Sequence, residues 1–354
     1  MTLFSQLQQQ IDETPAIEAP ADDELMLAAD TNEVQVYRTA DGGWYYLLKT
    51  GNPPAGLKVS ADYQTLERVP GVQTEGSIDR SRFLLRTAFE CRFTHEGVVS
   101  LHGACVQKDG FAVIFTGRSG AGKSTRANAW IEGLGAQFIS GDRPAVRLEA
   151  DGSVTACGVP WDGKEQIFSD VEVPLKCILD VRRSPANYVR RLSQKQAQTL
   201  LTQQGFIPMW DTDAAAMALF NVRRLAKSVP VLRVFCGMHA EDAQVIYDVL
   251  INHPELIKPA TEEEEAMQIK NGFTLRNVLD EHMVMPTGDN IGKFEGTVVL
   301  NDVSAFVFEQ LKTPVTRDDV LEAILAEYDV DAETAAKDLD ALLAQFRELG
   351  MIED

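Results

Sequence analysis

The sequence predicts an α/β domain, preceded by a small N-terminal α+β region and followed by a winged-helix-like module. Three observations predict it. Between residues 84 and 253, short β-branched runs alternate with segments of helical periodicity, the pattern of a sheet with both faces covered. One of those runs, FAVIF, leads directly into the glycine loop GRSGAGKST, Gly117–Thr125, and a helical segment follows at once. Residues 272–354 then compress two or three strands and three amphipathic helices into one compact unit.

Each element has its own signal. In residues 1–83 the Gly42–Gly43 pair turns VQVYRT back on WYYLLKT as a hairpin. A helical pattern starts at SRFLLRTAFECRF, and VVSLHGACV and FAVIFTG read as successive strands. After the loop come a helix over Ser124–Leu134, the strand AQFIS, a hairpin turning at Asp151–Gly152 and the strand PLKCILDV. Helices near 193–204 and 211–226, the strand VPVLRVFCG and a helix over Ala240–Leu250 complete the domain. Residues 254–271 mix proline with the acidic run Glu262–Glu265 and read as a linker. Beyond it FTLRNVL and TVVLN are strands, and three helices follow, with Thr316 and Asp331 as N-caps and Gly350 as a C-terminal stop.

Composition removes several classes of function. At 354 residues, 45% apolar and 24% charged, the chain has the make-up of a globular protein of two or three domains. No apolar run is long enough to cross a bilayer, and the N-terminus lacks the basic start and apolar core of an export signal. The five cysteines have no metal-type spacing and read as buried thiols of a cytoplasmic protein. The net charge of −20 is uneven: residues 261–354 hold 22 acidic against 7 basic residues, a net −15. Such a surface repels a phosphate backbone, so no nucleic-acid partner is expected.

The loop carries the chemistry. Gly117, Gly122, Lys123 and Ser124 satisfy the P-loop pattern G-x-x-x-x-G-K-[ST], with a strand before it and a helix after it. Glycines at 117, 120 and 122 allow backbone N–H groups to turn inward on an anion, and the helix adds its positive end. Gly117, Arg118, Ser119, Gly120, Ala121, Gly122, Lys123, Ser124 and Thr125 are therefore the expected phosphate-binding residues. Lys123 reaches toward β/γ oxygens, and Ser124 suits a Mg2+ position. Two strand ends point to the same edge: His102 in LHGACV and Asp142 in FISGDRPAV. Asp142 is expected to be the second tether of Mg2+. His102 reads either as a site residue or as a satisfied strand-end histidine, and Arg118 and Arg143 either as phosphate clamps or as partners of surface acids.

The order HG, strand, GKST loop, strand ending in acid and Arg resembles the HPr serine kinase/phosphorylase family, itself related to phosphoenolpyruvate carboxykinases. The resemblance covers residues 84–252, including Gly158–Glu165 (GVPWDGKE). It implies an ATP- and Mg2+-dependent kinase of serine hydroxyls, with Lys123, His102 and Asp142 in the catalytic centre and a homo-oligomeric assembly. One position departs from the family: the first of its two adjacent acids, a general-base candidate, is here Gly141.

Residues 272–354, from FTLRNVLDE to the closing GMI, resemble the PqqD family of peptide chaperones. That resemblance implies recognition of the leader segment of a ribosomally made precursor peptide by strand addition at an edge such as TVVL, Thr297–Leu300. Together the two resemblances imply a kinase for a peptide or protein recruited by the C-terminal module. The alternatives are a nucleotide-binding peptide chaperone without transfer and a kinase for a small hydroxylated metabolite.

Overall fold

The computed structural model describes residues 1–31, 33–72, 81–118, 120–161, 169–184, 187–237, 240–260, 267–278, 281–287, 298–313 and 315–353. Helix α1 (Leu3–Glu13) precedes an antiparallel sheet whose strands run in chain order: β1 (Leu25–Asp30), β2 (Val34–Thr39), β3 (Trp44–Gly51), β4 (Pro54–Val59) and β5 (Leu66–Val69). The expected hairpin is β2–β3, but it is the centre of a wider sheet. The flanking strands are short and carry proline, glycine or charge, which hides them from a pattern reading. Helix α2 (Ser81–His95) packs Leu84, Leu85, Phe89 and Phe93 into the same core as Trp44, Tyr46 and Leu57.

The central sheet contains β6 (Val98–Ser100), β7 (Gly103–Lys108), β8 (Phe111–Thr116), β9 (Gln137–Ser140), β10 (Ala145–Leu148), β11 (Val154–Cys157), β12 (Glu172–Arg183), β13 (Tyr188–Arg191) and β14 (Val231–Cys236). Its hub is β12. The first residues of β12 pair antiparallel with β11, while its second half lies parallel to β8 on one side and to β14 on the other. Strands β7 and β9 extend the other edge antiparallel. VVSLHGACV thus divides between two strands, because β6 pairs with β10 and β7 with β8.

Helices cover both faces. On one, α3 (Lys123–Leu134) and α6 (Ala240–Ile251) bury Ala127, Trp130, Ile246 and Leu250 against Val113 and Phe115. On the other, α4 (Gln194–Gln204) and α5 (Thr212–Ser228) bury Leu200, Leu201, Val222 and Leu225 against Ala112 and Ile114. The strand before the loop therefore alternates between the two cores. Helix α3 is also fixed by Arg126, which is buried and donates to the Cys236 Sγ and carbonyl, both at 2.9 Å. All five cysteines are buried and unbridged.

The C-terminal module contains β15 (Gln268–Ile269), the antiparallel sheet β16 (Phe273–Val278), β17 (Glu281–Pro286) and β18 (Val298–Leu300), helices α7 (Asp302–Gln310), α8 (Arg317–Glu327) and α9 (Ala332–Glu348), and β19 (Ile352–Glu353). Thr316 and Asp331 cap α8 and α9 as expected, and Gly350 sits at φ 67° just past α9. Leu343 and Phe346 are core residues. The segment expected as a linker is anchored at both ends. Lys258 exchanges backbone hydrogen bonds with Val189 and Arg191, while Met267 and Ile269 are buried in the C-terminal core, where β15 pairs with β19. The acidic run lies outside the described residues. No helix among the described residues is long and apolar enough to cross a membrane.

Trp130 holds α3, and with it the loop, against the sheet. Its ring meets Phe115 edge-on at 5.4 Å and Tyr247 at 5.7 Å. Trp130→Ala should lower unfolding stability by about 3–5 kcal/mol, read by chemical denaturation.

Candidate functional site

Strand β8 ends at Thr116 and the chain turns sharply. Gly117, Gly120 and Gly122 have φ of 133°, 83° and 89°, conformations that side chains disfavour. At Gly117 a Cβ would also lie 3.1 Å from Asp180 Oδ1 and 3.3 Å from the Val181 carbonyl. Ala121 is buried and its N–H reaches the Arg118 carbonyl at 3.3 Å. Gly122 occupies the N-cap of α3 with no side-chain cap, so the first N–H groups of the helix face the loop without one. Lys123 and Ser124 are half-buried, whereas Arg118, Gly120 and Thr125 are exposed. Ser119 and Lys164 lie outside the described residues. The Lys123 ammonium folds back on its own loop, donating to the Gly117 carbonyl at 3.1 Å and the Arg118 carbonyl at 2.9 Å. Burial lowers its pKa, while the charges of Asp142 and Glu322 work in the opposite direction.

His102 and Asp142 meet. Their side chains are 3.1 Å apart, Nδ1 to Oδ1, and the Asp142 carbonyl accepts from the Gly103 N–H at 2.8 Å. Thr116 donates to the His102 carbonyl at 2.8 Å, tying this pair to the root of the loop. Asp142 Oδ2 lies 3.4 Å from Arg86 on α2. The His102 hydrogen bond holds the Asp142 carboxyl below the usual aspartate range against the opposing effect of burial, and Arg86 and Arg143 reinforce it. Arg143 does not face a surface acid. It is 3.9 Å from the buried Glu90, which also accepts from Ser100 at 2.6 Å.

A second charged cluster lies under the other side of the loop. Asp180 is fully buried, and its position on β12 pairs with Thr116 on β8 and Arg233 on β14. Its Oδ2 accepts from Arg233 Nε at 2.8 Å and Arg182 Nη2 at 3.2 Å. Its Oδ1 faces Gly117 with no hydrogen-bond partner among the described residues. Arg183 donates to the Gly120 carbonyl at 3.0 Å. Arg182 also reaches helix α8, with Nη1 2.7 Å from Glu322 and 2.9 Å from Asp319. Asp319 in turn lies 3.3 Å from Arg118. Burial opposes the charge on Arg182, but Asp180, Asp319 and Glu322 outweigh it and hold the guanidinium ionised.

Pattern reading singled out the loop, His102 and Asp142, and did not single out Asp180, Arg182, Arg86, Asp319 and Glu322, which the fold sets around them. One signal was present: in PLKCILDVRR a lone acid interrupts an apolar strand just before two arginines, and a charge in a buried strand must be paired.

Among the described residues no group of three or more His, Cys, Asp or Glu is arranged to hold a metal ion. Mg2+ is commonly held by one or two protein ligands together with phosphate oxygens and water, and Ser124 and Asp142 have the hard oxygen donors such a site uses.

The family model "Coenzyme PQQ synthesis protein D (PqqD)" matches residues 281–352, so the protein is a mixed α/β chain with a C-terminal PqqD domain. Two solved structures similar to it are TbiB1 in complex with the TbiA(beta) leader peptide and lasso peptide synthetase B1 complexed with the leader peptide. The first is 21% identical over 24% of this chain and 94% of its own, with a TM-score of 0.21. The second is 20% identical over 25% and 99%, with a TM-score of 0.22. The HPr(Ser) kinase/phosphatase from Coxiella burnetii is 12% identical over 44% of this chain and 96% of its own, with a TM-score of 0.25. No curated protein matches the chain. Likeness at this level assigns no residue here.

Two outcomes follow from these charges. Asp180→Asn removes the buried negative charge that Arg182 and Arg233 share and should cost about 3–5 kcal/mol in chemical denaturation. Asp142 ionises at lower pH folded than unfolded, so its contacts stabilise the fold above about pH 4 and are lost as pH falls through the folded pKa. Denaturation midpoints of Asp142→Asn should therefore decline less steeply than wild type between pH 5 and 3 (about one unit either side of the unfolded value).

Proposed function

We propose that the protein is an ATP- and Mg2+-dependent kinase acting on a Ser or Thr hydroxyl of a ribosomally made peptide or protein held by the C-terminal domain. The observation that carries this reading is a juxtaposition. Arg118 on the glycine loop lies 3.3 Å from Asp319 on the PqqD-matching domain, and Thr116 at the root of that loop donates to the carbonyl of His102, whose ring is 3.1 Å from the strand-end acid Asp142. A phosphate grip, a metal-binding acid and a peptide-recognition domain would thus share one edge of the sheet.

In this reading the loop N–H groups and Lys123 hold the β/γ phosphates. Ser124 and Asp142 hold Mg2+, which when bound neutralises charge on the transferring phosphoryl group. Gly141 offers no carboxylate, so the acceptor's proton needs another base within hydrogen-bond reach. His102 fits that role: Asp142 engages Nδ1, which leaves Nε2 free to accept a proton. Peptide capture is supported by β18, which among the described residues pairs only with β17 and carries the exposed Val299, a template for strand addition.

A second reading, a nucleotide-responsive peptide carrier without transfer, draws support from Gly141 and from the Arg86 and His102 contacts that already engage Asp142. Incubation with Mg·ATP and a precursor peptide separates the two. The kinase reading expects a mass gain of one phosphate on the peptide, abolished by Lys123→Ala with leader binding retained. Nucleotide-dependent peptide affinity without product would establish the carrier instead.

A further inference from the structure

The contact between α8 and the loop joins charges of opposite sign at the mouth of the candidate phosphate site. Arg118 belongs to the loop, and Arg182 projects from the strand beneath it. Both are engaged by the C-terminal domain: Asp319 lies 2.9 Å from Arg182 and 3.3 Å from Arg118, and Glu322 lies 2.7 Å from Arg182. Three of the four side chains are largely withdrawn from water, at 8% exposure for Arg182, 13% for Asp319 and 11% for Glu322, while Arg118 is 54% exposed. The pairs are therefore screened far less than a surface ion pair would be. Arg182 Nε has no hydrogen-bond partner among the described residues, so the seat retains an unused donor.

The α8 carboxylates and a triphosphate would make incompatible demands on this seat. A nucleotide brings several negative charges to the positions where Asp319 and Glu322 already act. In a partly desolvated site, like charges a few ångströms apart repel strongly.

We propose that Arg118 and Arg182 form an anion seat that exchanges ligands. The carboxylates of Asp319 and Glu322 fill it when the C-terminal domain is docked, and the phosphate oxygens of a nucleoside triphosphate take it over when one binds. Docking and nucleotide binding then oppose each other, and by linkage each weakens the other by the same factor. This rests on reading the glycine loop as a triphosphate site. Undocking needs no unfolding of either part. Lys258 is fixed to β13 and Met267 to the C-terminal core, and the eight residues between them allow a contour of roughly 30 Å. The domain released in this way would carry its peptide-binding edge while staying at high effective concentration beside the loop.

The test is calorimetric binding of magnesium adenylyl imidodiphosphate to the full chain and to the double variant Asp319→Asn/Glu322→Gln, which keeps side-chain volume and the α8 cap. The proposal expects the folded variant to bind about 5- to 20-fold more tightly than wild type, within the usual range of coupling. Equal or weaker binding by the variant, with clear binding by wild type, overturns the seat and leaves the loop reading standing. Absence of binding by both removes the loop reading and the seat together. If the variant fails to fold, hydrogen exchange of residues 317–327 in wild type decides. Faster exchange on adding the analogue supports the seat, and unchanged or slower exchange overturns it.

Discussion

A single buried carboxylate constrains this site. Asp180 has no exposure to water, and a charge so placed is tolerable only when matched. The parallel register of β8, β12 and β14 provides the match, setting Asp180 beside Arg233 across one strand boundary and under Gly117 across the other. The same carboxylate takes a hydrogen bond from Arg182. Much of the site follows from that arrangement. The loop begins with glycine because a Cβ would press on Asp180, and Arg182 is held where it can meet acids from a different domain.

The sequence made some of this legible and not the rest. The loop could be read because its chemistry is local: glycines, lysine and serine at fixed spacing after an apolar strand need no knowledge of the remaining fold. His102 and Asp142 could be read because each sits beside a strand terminus of the same sheet, His102 just before β7 and Asp142 just after β9. Their pairing at 3.1 Å is a consequence of β7 lying beside β9. Asp180 could not be assigned in this way. PLKCILDV was legible as a strand, but which strands flank it depends on pairing across more than 50 residues, which periodicity does not encode. Nothing local marks Arg86 or Glu90 within the helical pattern of α2, and their contacts with Asp142 and Arg143 arise only from how the fold sets α2. Asp319 completes the capping box of α8 with Thr316. Its second role depends on an interface between domains that no local pattern reports.

The N-terminal sheet shows the opposite limit. Two of its strands were visible through aromatic and β-branched alternation and a Gly-Gly turn. Three were not, because LMLAAD, PAGLKV and LERV carry alanine, glycine, proline or charge in place of strand-forming residues. What makes them strands is the partner: β3 offers Trp44 and Tyr46 to a core that α2 closes from the other side, and tertiary burial overrides weak local preference.

Charge distribution connects these observations. The C-terminal 94 residues carry most of the molecule's net negative charge. The domain packs beside the glycine loop because two of its carboxylates meet arginines that the loop and its neighbouring strand supply. The contact is selective in which face it uses. Helix α8 turns its acids toward the loop, while β18, which among the described residues has β17 on one side only, exposes Val299. A domain that docked through β18 would cover that strand edge in order to sit near the glycine loop. Docking through α8 uses a different face, so the strand edge and the loop contact share none of the same atoms.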